Sequence, residues 1–198
     1  MLTNSQVFSN LILLITAVFV FIRYKKNQPI YNQILWGIFI LTIAATALAE
    51  LISWLIPSIP DQIPVIALAI ERTIGAVCMV SATWCLIMHY RSHIILCASS
   101  IAVGIFLFVS VLWYHVEFMG LIILPFCIII SLCIACLGLS GRQKSALWVI
   151  FSMMLIALAA KSRDIPLPMD PIDINRYLMA IAALCAGYAI RDENKRLF

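Results

Sequence analysis

The sequence predicts an all-α polytopic membrane protein: a compact bundle of seven transmembrane helices, with the N-terminus outside and the C-terminus in the cytoplasm. Hydrophobic residues make up 64% of the 198 residues and charged residues only 11%, whereas soluble domains carry about 45–50% and about 25%. Apolar runs of about 20 residues, the length that crosses a bilayer core, recur along the chain. Basic residues fall in alternate loops, which fixes the predicted orientation.

The seven predicted spans follow one another with short polar breaks between them. They lie at roughly 5–22, 34–56, 65–90, 94–114, 118–138, 146–160 and 174–190. Proline clusters at 57–64 and 166–171 mark two of the loops, since proline interrupts helices. No stretch outside the spans is long enough to fold separately, so we predict one transmembrane domain over residues 1–198.

The basic residues assign a side of the membrane to each loop. Those predicted to face the cytoplasm follow spans 1, 3, 5 and 7: Arg23, Lys25, Lys26, Arg91, Arg142, Lys144, Arg191, Lys195 and Arg196. The other side holds Asp61, Glu117 and a mixed-charge loop. Because the net charge of +4 lies beside the spans, it indicates topology and not a nucleic-acid partner. A bacterial-type inner membrane is the predicted location.

Ionisable residues concentrate at one predicted level, near the outer ends of the spans. Glu71 and Arg72 interrupt the third span on the order of 10 Å into the hydrocarbon. An unpaired charge there costs roughly 2.5–3.5 kcal/mol, so each residue is predicted to need a partner on another helix. The residues predicted at this level are Glu50, Ser53, Glu71, Arg72, Lys161, Asp173, Arg176 and Tyr177. They predict either an ion network that joins the spans or a polar pocket that opens outward.

Other chemistries have weaker signals in the sequence. The histidines, His89, His93 and His115, fall at helix edges and in a loop, so no metal site and no cofactor are predicted. Nucleophile-elbow, phosphate-loop and dinucleotide motifs do not occur. Ser53 follows Glu50 by three residues, but no histidine is predicted near it, so a serine hydrolase has little support. Catalytic residues are left unassigned.

Three segments resemble the seven-helix superfamily of alkaline ceramidases and progestin/adipoQ-type receptors, and its small bacterial members in particular. They are "ALAELISWL", "IERTIG" and "MDPIDINRYLMAIAALCAGYAIR". The resemblance implies the same N-out, C-in topology and a metal-dependent lipid amidase site where the three segments meet. At the positions matching the family's site this chain has Ser53, Trp54, Glu71, Asp173, Arg176 and Tyr177. The family's histidines are missing, so the resemblance implies a non-catalytic relative.

Together these observations predict a membrane protein whose outward-facing charged layer binds a lipid-like ligand or a membrane-protein partner, which includes a second copy of the chain. One alternative is a membrane-embedded lipid hydrolase with Glu50, Glu71 or Asp173 as general base. The other is an accessory subunit of a larger complex, in which the charges serve only to assemble the bundle.

Overall fold

The computed structural model describes residues 4–24, 29–56, 60, 62–90, 92–113, 117–141, 144–162 and 169–194. Over these residues the chain forms seven helices and no strand, which confirms the predicted all-α fold. The helices are α1 (Asn4–Tyr24), α2 (Ile30–Leu55), α3 (Gln62–Ile87), α4 (Ile94–Trp113), α5 (Glu117–Ser140), α6 (Lys144–Ala160) and α7 (Pro171–Asn194). Helices suit a chain this apolar because they satisfy the backbone hydrogen bonds internally in lipid.

Five of the seven helices are long and apolar enough to cross a membrane: α1 to α4, and α5 over Ile122–Ser140. The remaining two differ for separate reasons. Helix α6 is apolar but has only 17 residues. Helix α7 has 24 residues and carries charged side chains near both ends, including Asp173 and Arg191. The chain is therefore an integral membrane helical bundle in which α7 is the most polar member.

The helices are arranged as a ring with one helix outside it. Helix α1 packs on α2, α2 on α3, α3 on α5, α5 on α6, α6 on α7, and α7 returns to α1. Helix α4 lies outside this ring against α3. Gln6 contacts Asp170 near the starts of α1 and α7, and Tyr24 contacts Tyr188 near their ends, so these two helices run in parallel. One end of the ring therefore holds the starts of α1 and α7, and the opposite end holds their C-terminal turns.

Small residues allow α7 to lie close to its neighbours. Ala182, Ala183 and Ala186 are almost completely buried. A Cβ atom at Gly187 would lie 2.7 Å from the Tyr24 ring, which only glycine avoids. The Ser152 hydroxyl of α6 donates to the Ala182 carbonyl at 2.9 Å. These small residues keep α7 close to its neighbours. The first turns of the same helix carry the charged side chains of the candidate site.

Candidate functional site

Two carboxylates at the start of α7 hold α1 in place. Asp170 precedes the helix, and one of its oxygens accepts a hydrogen bond from the Ile172 N–H at 2.9 Å, which caps the helix end. Its other oxygen accepts from the Gln6 amide at 2.8 Å. Asp173 is 1% exposed and accepts from the Ser9 hydroxyl at 2.7 Å and from the Ser5 hydroxyl. Asp173 therefore faces α1 and is fully engaged there.

Arg176, one turn further along α7, faces α2 instead. Its guanidinium forms an ion pair with Glu50, near the C-terminal end of α2. The ion pair is incomplete on both sides: the Arg176 Nε atom and the Glu50 Oε2 atom are buried and have no hydrogen-bond partner among the described residues. A well-matched pair of these groups would form two parallel bonds. One donor and one acceptor thus stay open inside the bundle.

Helix α3 contains a π-helical turn over Glu71–Gly75, the segment "ERTIG". The Ala76 N–H donates to the Glu71 carbonyl five residues before it, the hydrogen bond that defines this geometry. Two backbone carbonyls just before the turn accept hydrogen bonds from threonine hydroxyls. Thr73 donates to the Ala69 carbonyl at 2.7 Å, and Thr46 of α2 donates to the Ala67 carbonyl at 3.3 Å. Such side chains stabilise irregular helix turns in lipid.

Two glycines let neighbouring helices approach the π-helical turn. A Cβ atom at Gly75 would clash with the Thr42 hydroxyl of α2. A Cβ atom at Gly104 of α4 would lie 2.9 Å from the Ile74 Cα atom, closer than real Cβ atoms approach a backbone. The turn is therefore held between α2 and α4, and its shape depends on both neighbours.

The Glu71 carboxyl lies beside the Thr46 hydroxyl, within electrostatic range of Arg176, Arg72 and Glu50. Its Oε2 atom is buried and has no hydrogen-bond partner among the described side chains and backbone groups. Helices α2, α3 and α7 thus bring Glu50, Glu71, Arg72 and Arg176 together. We call these four residues the charged cluster.

Three other residues from the sequence prediction lie outside the charged cluster. The Ser53 hydroxyl donates to the carbonyl of Ala49 in its own helix at 2.9 Å. Lys161 is exposed in the turn after α6, and Tyr177 is half-buried on α7. The predicted layer is therefore divided: Asp173 belongs to a hydroxyl–carboxylate contact with α1, and the charged cluster joins α2, α3 and α7.

The sequence prediction missed the polar face of α1. Gln6, Ser9 and Asn10 are all buried at spacings of three and four residues, which place them on one side of the helix. Asn10 is 0% exposed, and both its amide oxygen and its amide nitrogen have no partner among the described residues. The segment "NSQVFSN" carried this signal, because polar residues at helical spacing inside an apolar run mark one polar face.

Comparison with known proteins found no family model that matches the chain, and neither curated proteins nor solved structures gave a match. The resemblance to the ceramidase and receptor superfamily stays a prediction. Within the described part of the chain, no three His, Cys, Asp or Glu side chains come together as ligands for a metal ion.

Proposed function

We propose that this integral membrane protein binds the polar headgroup of an amphipathic, lipid-like ligand at the charged cluster. One observation carries the proposal: side-chain atoms of Glu50, Glu71 and Arg176 are buried and have no hydrogen-bond partner among the described residues. Leaving such a group unsatisfied costs about 1–3 kcal/mol, and more when it is charged. A ligand that supplies the missing donors and acceptors removes this cost, so the cluster is suited to binding.

Burial of these atoms favours a small ligand over a protein partner. The open atoms of Glu50, Glu71 and Arg176 lie inside the bundle, not on its outer surface. A second copy of the chain or another membrane protein would have to insert a side chain to reach them. A lipid headgroup reaches the same level from the end of the bundle while its acyl chains stay against the apolar exterior.

The lipid-hydrolase alternative has less support from the site. Ser53 is the nucleophile nearest in sequence to Glu50, and its hydroxyl is bonded to the Ala49 carbonyl. Glu71, the second candidate base, neighbours Thr46, whose hydroxyl donates to the carbonyls of Thr42 and Ala67. Asp173, the third, accepts from the hydroxyls of Ser5 and the completely buried Ser9, so these hydroxyls are engaged as well. A binding role needs only the open atoms, whereas hydrolysis also needs a free nucleophile. The outward orientation and the inner-membrane location are part of the proposal and are supported by the loop charges alone.

Native mass spectrometry of gently extracted protein tests the proposal. The wild-type protein should retain a lipid or similar amphiphile, and Arg176→Gln should release it. Arg191→Gln is the matched control, because Arg191 lies on the same helix near its other end, over the Tyr188 ring. The double variant Glu50→Gln/Arg176→Gln keeps neutral hydrogen-bonding groups and tests whether any loss of ligand follows from misfolding.

Two outcomes would contradict the proposal. The first is a well-folded wild-type protein that retains no amphiphile and is not stabilised by any added lipid. The second is equal retention by the wild-type protein, Arg176→Gln and Arg191→Gln. A stoichiometric protein partner in place of a small molecule would support the accessory-subunit alternative instead.

A further inference from the structure

We propose that the bound headgroup carries a protonated primary amine, held between the open carboxylate oxygens of Glu50 and Glu71. This inference rests on the proposed function and specifies the chemistry of its ligand. It follows from which buried donors and acceptors of the charged cluster lack a hydrogen bond among the described residues, and from the hydrogen bond that Arg176 already donates to Glu50.

Among the buried atoms of the charged cluster that have no partner in the described chain, acceptors outnumber donors. Glu50 Oε2 and Glu71 Oε2 are buried acceptors without a partner among the described residues. Arg176 Nε is the corresponding open donor, and a terminal nitrogen of the same guanidinium already donates to Glu50. A ligand that satisfies these buried atoms therefore supplies at least two hydrogens to carboxylate oxygens and one acceptor to Arg176 Nε.

An anionic group fits these open atoms less well. A bare phosphate could accept from Arg176 Nε but would leave the open oxygens of Glu50 and Glu71 without a donor. A primary ammonium has three N–H donors and a positive charge, so it matches both open oxygens at once. The Arg176 Nε donor is then left for an oxygen near the amine, such as a phosphate or hydroxyl oxygen of the same headgroup.

The geometry of Glu71 makes this arrangement specific. The π-helical turn begins at Glu71, and the Thr46 hydroxyl lies beside its carboxyl. Gly75 and Gly104 hold the turn between α2 and α4. A π-helical turn contains one extra residue, which rotates the residues before it relative to those after it. The turn therefore sets the direction of the Glu71 side chain separately from that of the apolar residues that follow in α3.

The chemistry could come from a membrane lipid or from a small soluble amine. A graded series of lipids separates amine recognition from general lipid binding: dioleoyl phosphatidylethanolamine and its N-methyl, N,N-dimethyl and N,N,N-trimethyl forms. Each methyl group removes one N–H donor and leaves the charge and acyl chains unchanged. Ethanolamine alone, added to the detergent-solubilised protein, tests the soluble source.

Binding of each lipid to the detergent-solubilised wild-type protein is measured by titration and native mass spectrometry. We expect affinity to fall along the series, with the trimethyl lipid bound about tenfold more weakly than the primary amine. Glu71→Gln should remove most of this difference. Asp192→Asn is the control, because Asp192 accepts a hydrogen bond from Trp148 near the other end of α7.

The outcomes separate this inference from the proposed function. Equal binding of all four lipids, abolished by Glu50→Gln/Arg176→Gln, would leave the proposed function standing and overturn the amine. Tighter binding of dioleoyl phosphatidylglycerol, which has no amine, would also overturn it. Binding of ethanolamine as tight as that of the lipid would support the amine and assign a soluble source. Binding of none of these compounds would overturn both proposals.

Discussion

The two ends of the bundle differ in how their buried charged and amide groups are bonded. At the end opposite the charged cluster, Asn32 of α2 fastens the segment between α3 and α4. Its amide oxygen accepts from the Ser92 N–H at 3.0 Å and from the Ser92 hydroxyl, and its nitrogen donates to the Tyr90 carbonyl at 3.3 Å. The indole of Trp148 donates to Asp192 at 3.0 Å. These groups are satisfied, so a structural role accounts for them.

At the charged end, buried atoms on α1, α2, α3 and α7 have no hydrogen-bond partner in the described part of the chain. They belong to Asn10, Glu50, Glu71 and Arg176. Folded proteins bond the large majority of their buried polar groups. Elsewhere in the bundle, the buried hydroxyls of Thr83 and Ser131 also have no partner among the described residues. The ionisable groups with open atoms, Glu50, Glu71 and Arg176, thus lie at one end, whereas the open atoms elsewhere in the described chain belong to uncharged hydroxyls. This difference between the charged end and the opposite end can be tested.

The largest expected effect comes from removing the cation of the charged cluster. Arg176→Ala leaves the Glu50 carboxyl without its partner, which costs about 3 kcal/mol of unfolding free energy, the lower limit for buried pairs, because the Glu50 side chain is 20% exposed. Arg191→Ala removes only a contact with the Tyr188 ring, which is worth at most about 1 kcal/mol. Denaturant unfolding in mixed micelles measures both.

The double variant Glu50→Gln/Arg176→Gln should regain part of the stability lost in Arg176→Ala, since it removes both charges. Equal losses for Arg176→Ala and Arg191→Ala would contradict the distinction between the two ends.

The close packing around the π-helical turn predicts the next largest effect. Gly75→Ala should lower the unfolding free energy by about 1–3 kcal/mol, because the added methyl group meets the Thr42 hydroxyl. Gly37→Ala is the control at the other end, where the added atom meets the Phe21 ring at 3.0 Å, a side chain able to move. Gly75→Ala/Thr42→Ala should recover most of the loss. If it does not, the hydroxyl is not the obstacle.

Two buried asparagines give a direct comparison between the ends. Asn32→Leu should destabilise the protein by about 1–3 kcal/mol, since it removes three hydrogen bonds and leaves their partners unsatisfied. Asn10→Leu should be neutral or stabilising in ligand-free protein, because no described residue bonds to the buried Asn10 amide. Thermal unfolding of delipidated protein measures both. A larger loss for Asn10→Leu than for Asn32→Leu would show that Asn10 is satisfied in the folded protein.

The number and position of the helices could be predicted from the sequence because lipid solvation acts on each apolar run separately. The sequence also predicted that Glu50, Glu71 and Arg176 lie at the same depth in the bundle, because depth follows from the number of residues between each of them and the end of its helix. Their partners could not be predicted, because the rotation of each helix about its axis is decided by packing. Asp173 and Arg176 share a face by spacing, yet Asp173 contacts α1 and Arg176 contacts α2.

The π-helical turn and the polar face of α1 were harder to predict, for a physical reason. The turn depends on contacts from two other helices, at Thr42 and at Gly104, which no local pattern around Glu71 records. Serine is common in membrane helices because its hydroxyl can bond to a carbonyl of its own helix. Ser9 therefore gives the same sequence signal as Ser53, although Ser9 bonds to Asp173 of α7 and Ser53 only to its own helix.

That pair of serines gives the smallest and sharpest test. Ser53→Ala should change the unfolding free energy by no more than about 0.5 kcal/mol and leave lipid retention unchanged, since its hydroxyl serves only the Ala49 carbonyl. Ser9→Ala should cost about 1–2 kcal/mol, because Asp173 loses a buried donor. Incubation with phosphatidylethanolamine and assay of released fatty acid completes the test. Fatty acid release by the wild-type protein that Ser53→Ala abolishes would establish the hydrolase alternative, and the open atoms of the charged cluster would then serve a reaction at Ser53.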